Sequence, residues 1–133
     1  MSIETNKELV RRFFDERWNR GNLDVYDELL APSLDIAGAK EWARSMYAAL
    51  GNIQLTILDL LAEGDQVAVH WRFAATHQGD YLGVAATGKH VTYQGIALLR
   101  IVDGKIVEDQ AYWDNLSILR QLGVDPTPEH AAS

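Results

Sequence analysis

The chain has 133 residues, 47% of them hydrophobic and 23% charged, with a formal net charge of -7. That length and apolar content predict one folded domain with a substantial core and exclude a disordered chain. The negative balance and scattered Lys and Arg exclude a nucleic-acid backbone as partner, and the absence of cysteine excludes disulfides, thiolate metal sites and cysteine nucleophiles.

The opening MSIETNKELVRR is polar and lacks the apolar core of a secretion signal, and no apolar run is long enough to span a bilayer. With no cysteine to protect, this fits a cytoplasmic protein. Thr5 and Glu8 fit a capping box. Leu9, Val10, Phe13, Phe14 and Trp18 then recur at helical spacing, so an amphipathic first helix is expected, stopped at Asn19–Asn22. Leu23, Tyr26, Leu29 and Leu30 predict a short second helix, ended by Pro32. After the connection Ser33–Gly38, Trp42, Met46 and Leu50 predict a third helix over Ala39–Leu50, with Gly51 as a left-handed cap.

Beyond Gly51 the period changes. Asn52–Glu63 reads as a strand and Gly64-Asp65 as a turn. Gln66–His77 alternates, with Val67, Val69, Trp71 and Phe73 on one face and His70 and Arg72 on the other. Gln78–Gly88 reads as a glycine-bearing loop, Lys89–Val102 as a third strand, Asp103-Gly104 as a hairpin turn and Lys105–Asp114 as a fourth strand. One domain over residues 1–123 is expected, followed by a frayed tail over 124–133. Helices first and strands second indicate an α+β fold. A meander of this kind twists into a half-open cone, with the helices on its concave side and a pocket between.

Asp114 is the leading candidate for chemistry. It sits among Tyr112, Trp113 and Asn115, and by strand parity shares a face with Ile106, Glu108, Gln110 and Tyr112. Aromatic neighbours raise a carboxylate's pKa and make it a general acid/base near neutral pH. The other reading is a helix cap for Asn115–Ile118. The hairpin register decides its neighbours: Tyr93 faces Asp114 after a two-residue turn, Thr92 after a three-residue loop, in which case Gln94 and Arg100 turn to its face. Gln94, Arg100 and Tyr112 are donors suited to an oxyanion. Trp113, Trp42 and Tyr47 are candidate walls of an apolar pocket, with Gln110 and His70 as further lining. His77 and His90 flank the loop, at its turns or at a pocket mouth. No histidine set has metal-ligand spacing, Gly79, Gly83 and Gly88 do not form a phosphate loop, and no serine lies in a nucleophile elbow. Neither a metal nor a cofactor is expected.

The chain resembles the SnoaL-like polyketide cyclases of the NTF2-like superfamily. The resemblance rests on LVRRFFDERWNRGN (Leu9–Asn22), LLAEGDQVAVHW (Leu60–Trp71), THQG (Thr76–Gly79), Thr87-Gly88 and LRIVDGKIVEDQAYWDNLSILRQLG (Leu99–Gly123). It implies the cone-shaped α+β fold and a cofactor-independent intramolecular aldol closure. In that closure Asp114 matches the acid/base aspartate, Tyr112 a polar residue two before it, and Arg100 a polar residue of the preceding strand. It also implies a small hydrophobic carbonyl-containing or polyketide-like substrate and a homodimer, with no nucleic acid or membrane partner. The chain departs from the pattern in its short Pro32–Lys40 segment, in Ala85-Ala86 for a common Pro-Pro, and in Asp109-Gln110 where relatives usually carry His-Trp. Two alternatives stay open. One is an epoxide hydrolase of the limonene-epoxide hydrolase type, using Asp114 and Arg100. The other is a non-catalytic binding module in which Asp114 only caps.

Overall fold

A computed structural model describes residues 2–124, so the expected tail beyond Val124 and His130 lie outside the described residues. Helix α1 spans Ile3–Phe14. Its cap is Ser2 rather than Thr5: the Thr5 amide donates to Ser2 Oγ at 3.0 Å. The helix starts before the expected box, because a serine two residues into the chain is as good a cap as the threonine. Val10, Phe13 and Phe14 are buried from it.

The helix then widens into a π-helical segment, Asp15–Asn19, closed by a bond from the Arg20 amide to the Asp15 carbonyl at 3.2 Å. Such widenings mark functional positions in many proteins. Two side chains hold this one in place. Asn19 pairs with the backbone of Leu55, donating to its carbonyl at 3.1 Å and accepting from its amide at 2.7 Å. The Tyr47 hydroxyl donates to the Arg17 carbonyl.

Helix α2 spans Asp24–Leu29 and α3 spans Ile36–Ala49. Asp35 caps α3 through a bond from the Gly38 amide at 3.0 Å. Gly51 is not a helix cap: the backbone passes straight from α3 into strand β1, Leu50–Glu63. β2 is Gln66–His77, β3 is His90–Val102 and β4 is Lys105–Trp113. They form an antiparallel sheet in the order β1-β2-β3-β4, the expected meander. Helix α4, Asn115–Gln121, follows at once. No helix among the described residues is long and apolar enough to cross a membrane.

The core lies between the helices and one face of the sheet. β2 sends Val67, Val69, Trp71, Phe73 and Ala75 inward, and β3 sends Val91, Tyr93, Ala97 and Leu99. This strict alternation is what one covered sheet face requires. His77, expected at a turn or pocket mouth, is fully buried instead. Its Nδ1 accepts from the Thr87 amide at 3.2 Å, which ties the loop to the sheet end.

The hairpin register differs from both sequence alternatives. Val102 pairs with Lys105 and Ile101 with Ile106, as a two-residue turn requires, but Arg100 then pairs with Glu108. Val107 is the extra residue of a β-bulge. It moves the rest of β4 by one position, so Gly95 faces Trp113, and Asp114, just past the strand, lines the same depression as Gln94. Ile106 is buried, whereas Glu108, Gln110 and Tyr112 are exposed, so the bulge splits the face they were expected to share.

Candidate functional site

Because of the bulge, β4 presents Asp109, Ala111 and Trp113 to a recess between the helices and the sheet. The recess has two lobes. The inner lobe is about 40 Å³ and is walled by Phe14, Trp18, Met46, Leu55, Trp71, Phe73, Tyr93, Ala111 and Trp113. The outer lobe is about 230 Å³ and is walled by Phe13, Tyr26, Leu30, Leu34, Asp35, Ala39 and Asp109. Arg17 and Trp42 belong to both lobes.

All four tryptophans of the chain reach the inner lobe. Trp18 meets Phe73 edge-on at 5.3 Å and Trp42 at 5.5 Å, and Trp42 tilts against Trp113 at 6.2 Å. The first two are favourable edge-to-face geometries, and together the rings give the recess apolar walls. Gly95 makes room for one of them. A Cβ there would stand 2.3 Å from the Trp71 ring and 2.5 Å from the Tyr112 carbonyl.

Two charged groups enter this apolar space. Asp109 comes from the sheet. It remains exposed, and lines the outer lobe beside Phe13, Tyr26, Leu30 and Trp42. Burial pushes its carboxyl above the usual carboxylate range, with the charge of Arg17 acting in the opposite sense. Asp35, the other carboxylate at the rim, is committed to capping α3. Arg17 comes from the π-helical segment and is 8% exposed. Its guanidinium lies 4.1 Å from the Phe13 ring, 4.6 Å from Phe14 and 5.1 Å from Trp18, within cation–π reach of each.

The expected site residues divide between the two faces of the sheet. Trp42 and Trp113 line the recess. Tyr47 stands behind it, packing edge-on to Trp18 at 5.9 Å; burial pushes its hydroxyl up to about 12. Asp114 opens on the other side, onto a shallow depression shared with His70, Gln94, Ile96 and Tyr112. The enclosed pocket expected around Asp114 therefore lies on the opposite face, a consequence of the Val107 bulge. Asp114 is exposed and caps α4, accepting from the Ser117 amide at 2.9 Å. His70 bridges Asp59 and Gln94, each at 2.8 Å, and Tyr112 and Gln110 are exposed beside it. Arg100 pairs with Asp65 at 2.9 Å and Glu108 at 3.4 Å. It stands six positions along β3 from Gln94, which lines the same depression as Asp114, or about 20 Å at the rise of a strand. Arg100 and Asp114 thus do not share a reacting atom, as the epoxide-hydrolase arrangement requires.

Sequence reasoning passed over Asp109 and Arg17. Arg17 did leave a signal, standing four after Phe13 and three after Phe14 on the apolar stripe of the first helix. Asp109 was visible only as a departure from the usual His-Trp pattern. Among the described residues no group of three or more His, Asp or Glu side chains is placed to hold a metal ion.

Comparison with known proteins adds to this geometry. The family model for SnoaL-like polyketide cyclases matches residues 8–122. The chain is 35% identical over 115 residues to aklanonic acid methyl ester cyclase DnrD of Streptomyces peucetius, covering 86% of this chain and 77% of that one. It is 28% identical over 88 residues to nogalonic acid methyl ester cyclase of Streptomyces nogalater, covering 66% and 63%. Among solved structures, TsrD from Streptomyces laurentii superposes with a TM-score of 0.84 at 25% identity, over 94% of this chain and 99% of that one. AclR from Streptomyces galilaeus, provisionally assigned as a hydroxylase, gives 0.85 at 28% identity over 99% and 95%.

Proposed function

We propose, for a chain that belongs to the SnoaL-like polyketide cyclase family, that it closes a ring in a polyketide-like substrate by an intramolecular aldol step with Asp109 as the acid/base. One observation carries this reading: Asp109 is a carboxylate on the wall of a largely apolar recess, among Phe13, Tyr26, Leu30 and Trp42, where partial desolvation raises its proton affinity. That is the tuning a carboxyl group needs to exchange protons near neutral pH.

The chemistry balances without a co-reactant. Ionised Asp109 takes a proton from a carbon flanked by carbonyls. The resulting enolate carbon attacks a ketone carbon of the same molecule. A carbon–carbon bond forms, and the carbonyl π pair becomes an alkoxide. The alkoxide takes the proton back from Asp109, which restores the carboxylate. Aromatic walls exclude water and hold a planar substrate in the folded shape that ring closure needs.

Aklanonic acid methyl ester, named for the relative at 35% identity, is the first compound to test. Asp109→Asn lowers turnover by about 10²–10⁴ with the fold intact, the contribution typical of one positioned acid/base. Solvent deuterium exchange at the attacking carbon stops with it. Full activity in Asp109→Asn overturns the reading. Labelled oxygen from water in the product would indicate hydrolysis instead.

The outer face of the sheet supports a homodimer. Leu61, Ala68 and Leu98 form one cross-strand row, and Ile96 and Tyr112 are paired in the next. Leu61, Ile96 and Tyr112 are 69%, 53% and 71% exposed, an apolar patch of the kind two copies bury isologously. Light scattering of the wild type and Ile96→Glu tests it: a dimer that Ile96→Glu dissociates supports it, and a monomeric wild type overturns it.

A further inference from the structure

Arg17 is a buried cation whose hydrogen-bonding capacity is largely unspent. A guanidinium carries five N–H donors. Here Nε is buried with no partner, and one Nη donates only to the Tyr26 hydroxyl at a long 3.5 Å. No carboxylate comes within ion-pairing distance of it among the described residues, whereas the less buried Arg12, Arg20 and Arg100 each have at least one. Aromatic faces stabilise the charge in part but accept no N–H bond of normal strength. A buried charge left so costs several kcal/mol unless something completes it.

The surroundings indicate what completes it. Arg17 reaches both lobes of the recess, from the helical layer, while Asp109 enters from the sheet. The accessible end of the guanidinium, rather than the buried Nε, is what a planar oxygen acceptor lying in the recess can reach. The segment that carries Arg17 is clamped to β1 by Asn19 and to α3 by Tyr47, so the backbone that presents the fork is set before a ligand arrives. A fixed donor pair is what a charge developing on oxygen requires.

We infer that Arg17 is the anion-recognising group of this recess, binding the acidic oxygen of an enolisable or carboxylate-bearing planar ligand. The inference rests on the proposed ring closure only for the identity of that oxygen as an enolate. The recognition itself needs no turnover. During reaction the negative charge moves from Asp109 to the substrate oxygen, and Arg17 holds it there. In the resting state the same group favours anionic over neutral ligands.

The test is equilibrium binding of 2-naphthoate against its neutral isostere 2-naphthamide, followed by quenching of the recess tryptophans. Wild-type protein binds the anion at least tenfold more tightly. Arg17→Met abolishes the preference, and Arg17→Lys, which keeps the charge without the fork, retains part of it. Asp109→Asn keeps or increases it, so a failure of the catalytic reading leaves this result untouched. Circular dichroism establishes the fold of each variant. If Arg17→Met does not fold, the Lys variant and the wild-type preference still decide. Equal affinity of the wild type for the two probes overturns the inference, as does an undiminished preference in Arg17→Met or Arg17→Lys.

Discussion

Arg17 and Asp109 line the same recess from opposite layers, yet they do not form an ion pair. A direct pair would neutralise both groups and lower the proton affinity of Asp109. Their separation leaves each available. Burial dominates the Asp109 carboxyl and raises its pKa, and the Arg17 charge only moderates the shift.

The pH dependence follows from that direction. In the proposed mechanism the base is ionised Asp109, so kcat/KM rises with pH through its free-enzyme pKa. The midpoint of that rise lies above the ordinary aspartate value of about 3.9. Linkage has the opposite sign to a salt-bridged carboxylate. The folded state binds the proton more tightly than the unfolded state, so stability from this group is greatest below the unfolded pKa. It declines as pH rises towards the folded pKa. Asp109→Asn removes the decline. Urea melts of wild type and variant should diverge upward in pH, with the variant equal or more stable at neutrality. A rate profile already flat at the ordinary carboxylate range contradicts the role.

Much of the fold was legible because its periods are clean. The alternation of β2 and β3, the turns at Gly64-Asp65 and Asp103-Gly104, and the apolar stripe of α1 all have direct physical signatures. On the sheet side the site was less legible because of the bulge at Val107. A valine carries no mark of a bulge, and one extra residue reverses which side chains face the core. Ile106 and Asp109 thereby join the inner face, while Tyr112 and Asp114 join the outer one. Arg17 was hidden differently: a stripe is read from its apolar members, and an arginine within it is passed over as solvated.

Asp114 and Asp109 can be separated by paired substitutions. As a cap, Asp114 tolerates Asn, which is equally good at that position, whereas Ala costs about 1 kcal/mol. Asp114→Asn should leave both urea midpoint and turnover near wild type. Asp114→Ala should lower the midpoint and leave turnover per folded molecule unchanged. A base at Asp114 predicts the same stability for Asn but turnover lost by orders of magnitude. Measuring both quantities on both variants decides between the two aspartates.

His70 titrates on the outer face under the influence of Asp59, with Gln94 adding to the effect. Both interactions raise its pKa from the ordinary 6.5, the Asp59 bond more than the Gln94 bond. The protonated ring contributes stability fully below the unfolded pKa, and that contribution is lost as pH rises through the folded pKa. An NMR titration of the His70 ring should show a midpoint above the ordinary value. Asp59→Asn should lower it, and Gln94→Ala should lower it less. A midpoint unmoved by Asp59→Asn means that the bridge does not persist in solution.

Gly95 tests how tightly the recess walls are fitted. An added Cβ meets the Trp71 ring at 2.3 Å and the Tyr112 carbonyl at 2.5 Å, both closer than real contacts allow. The ring lines the inner lobe, which has only about 40 Å³ to take up a shift. The carbonyl belongs to the neighbouring strand and cannot withdraw without opening the β3–β4 pairing near Trp113. Gly95→Ala should therefore cost about 1–3 kcal/mol, the range of overpacked cores. Ligand affinity in the recess should fall with it, and the tryptophan emission should shift. The double variant Gly95→Ala with Trp71→Phe relieves the ring contact and leaves the carbonyl contact. Its urea midpoint should lie above that of Gly95→Ala alone in the same cycle, yet below that of Trp71→Phe. Full recovery would mean that the ring alone bears the strain, and no recovery would mean that the strand pairing does.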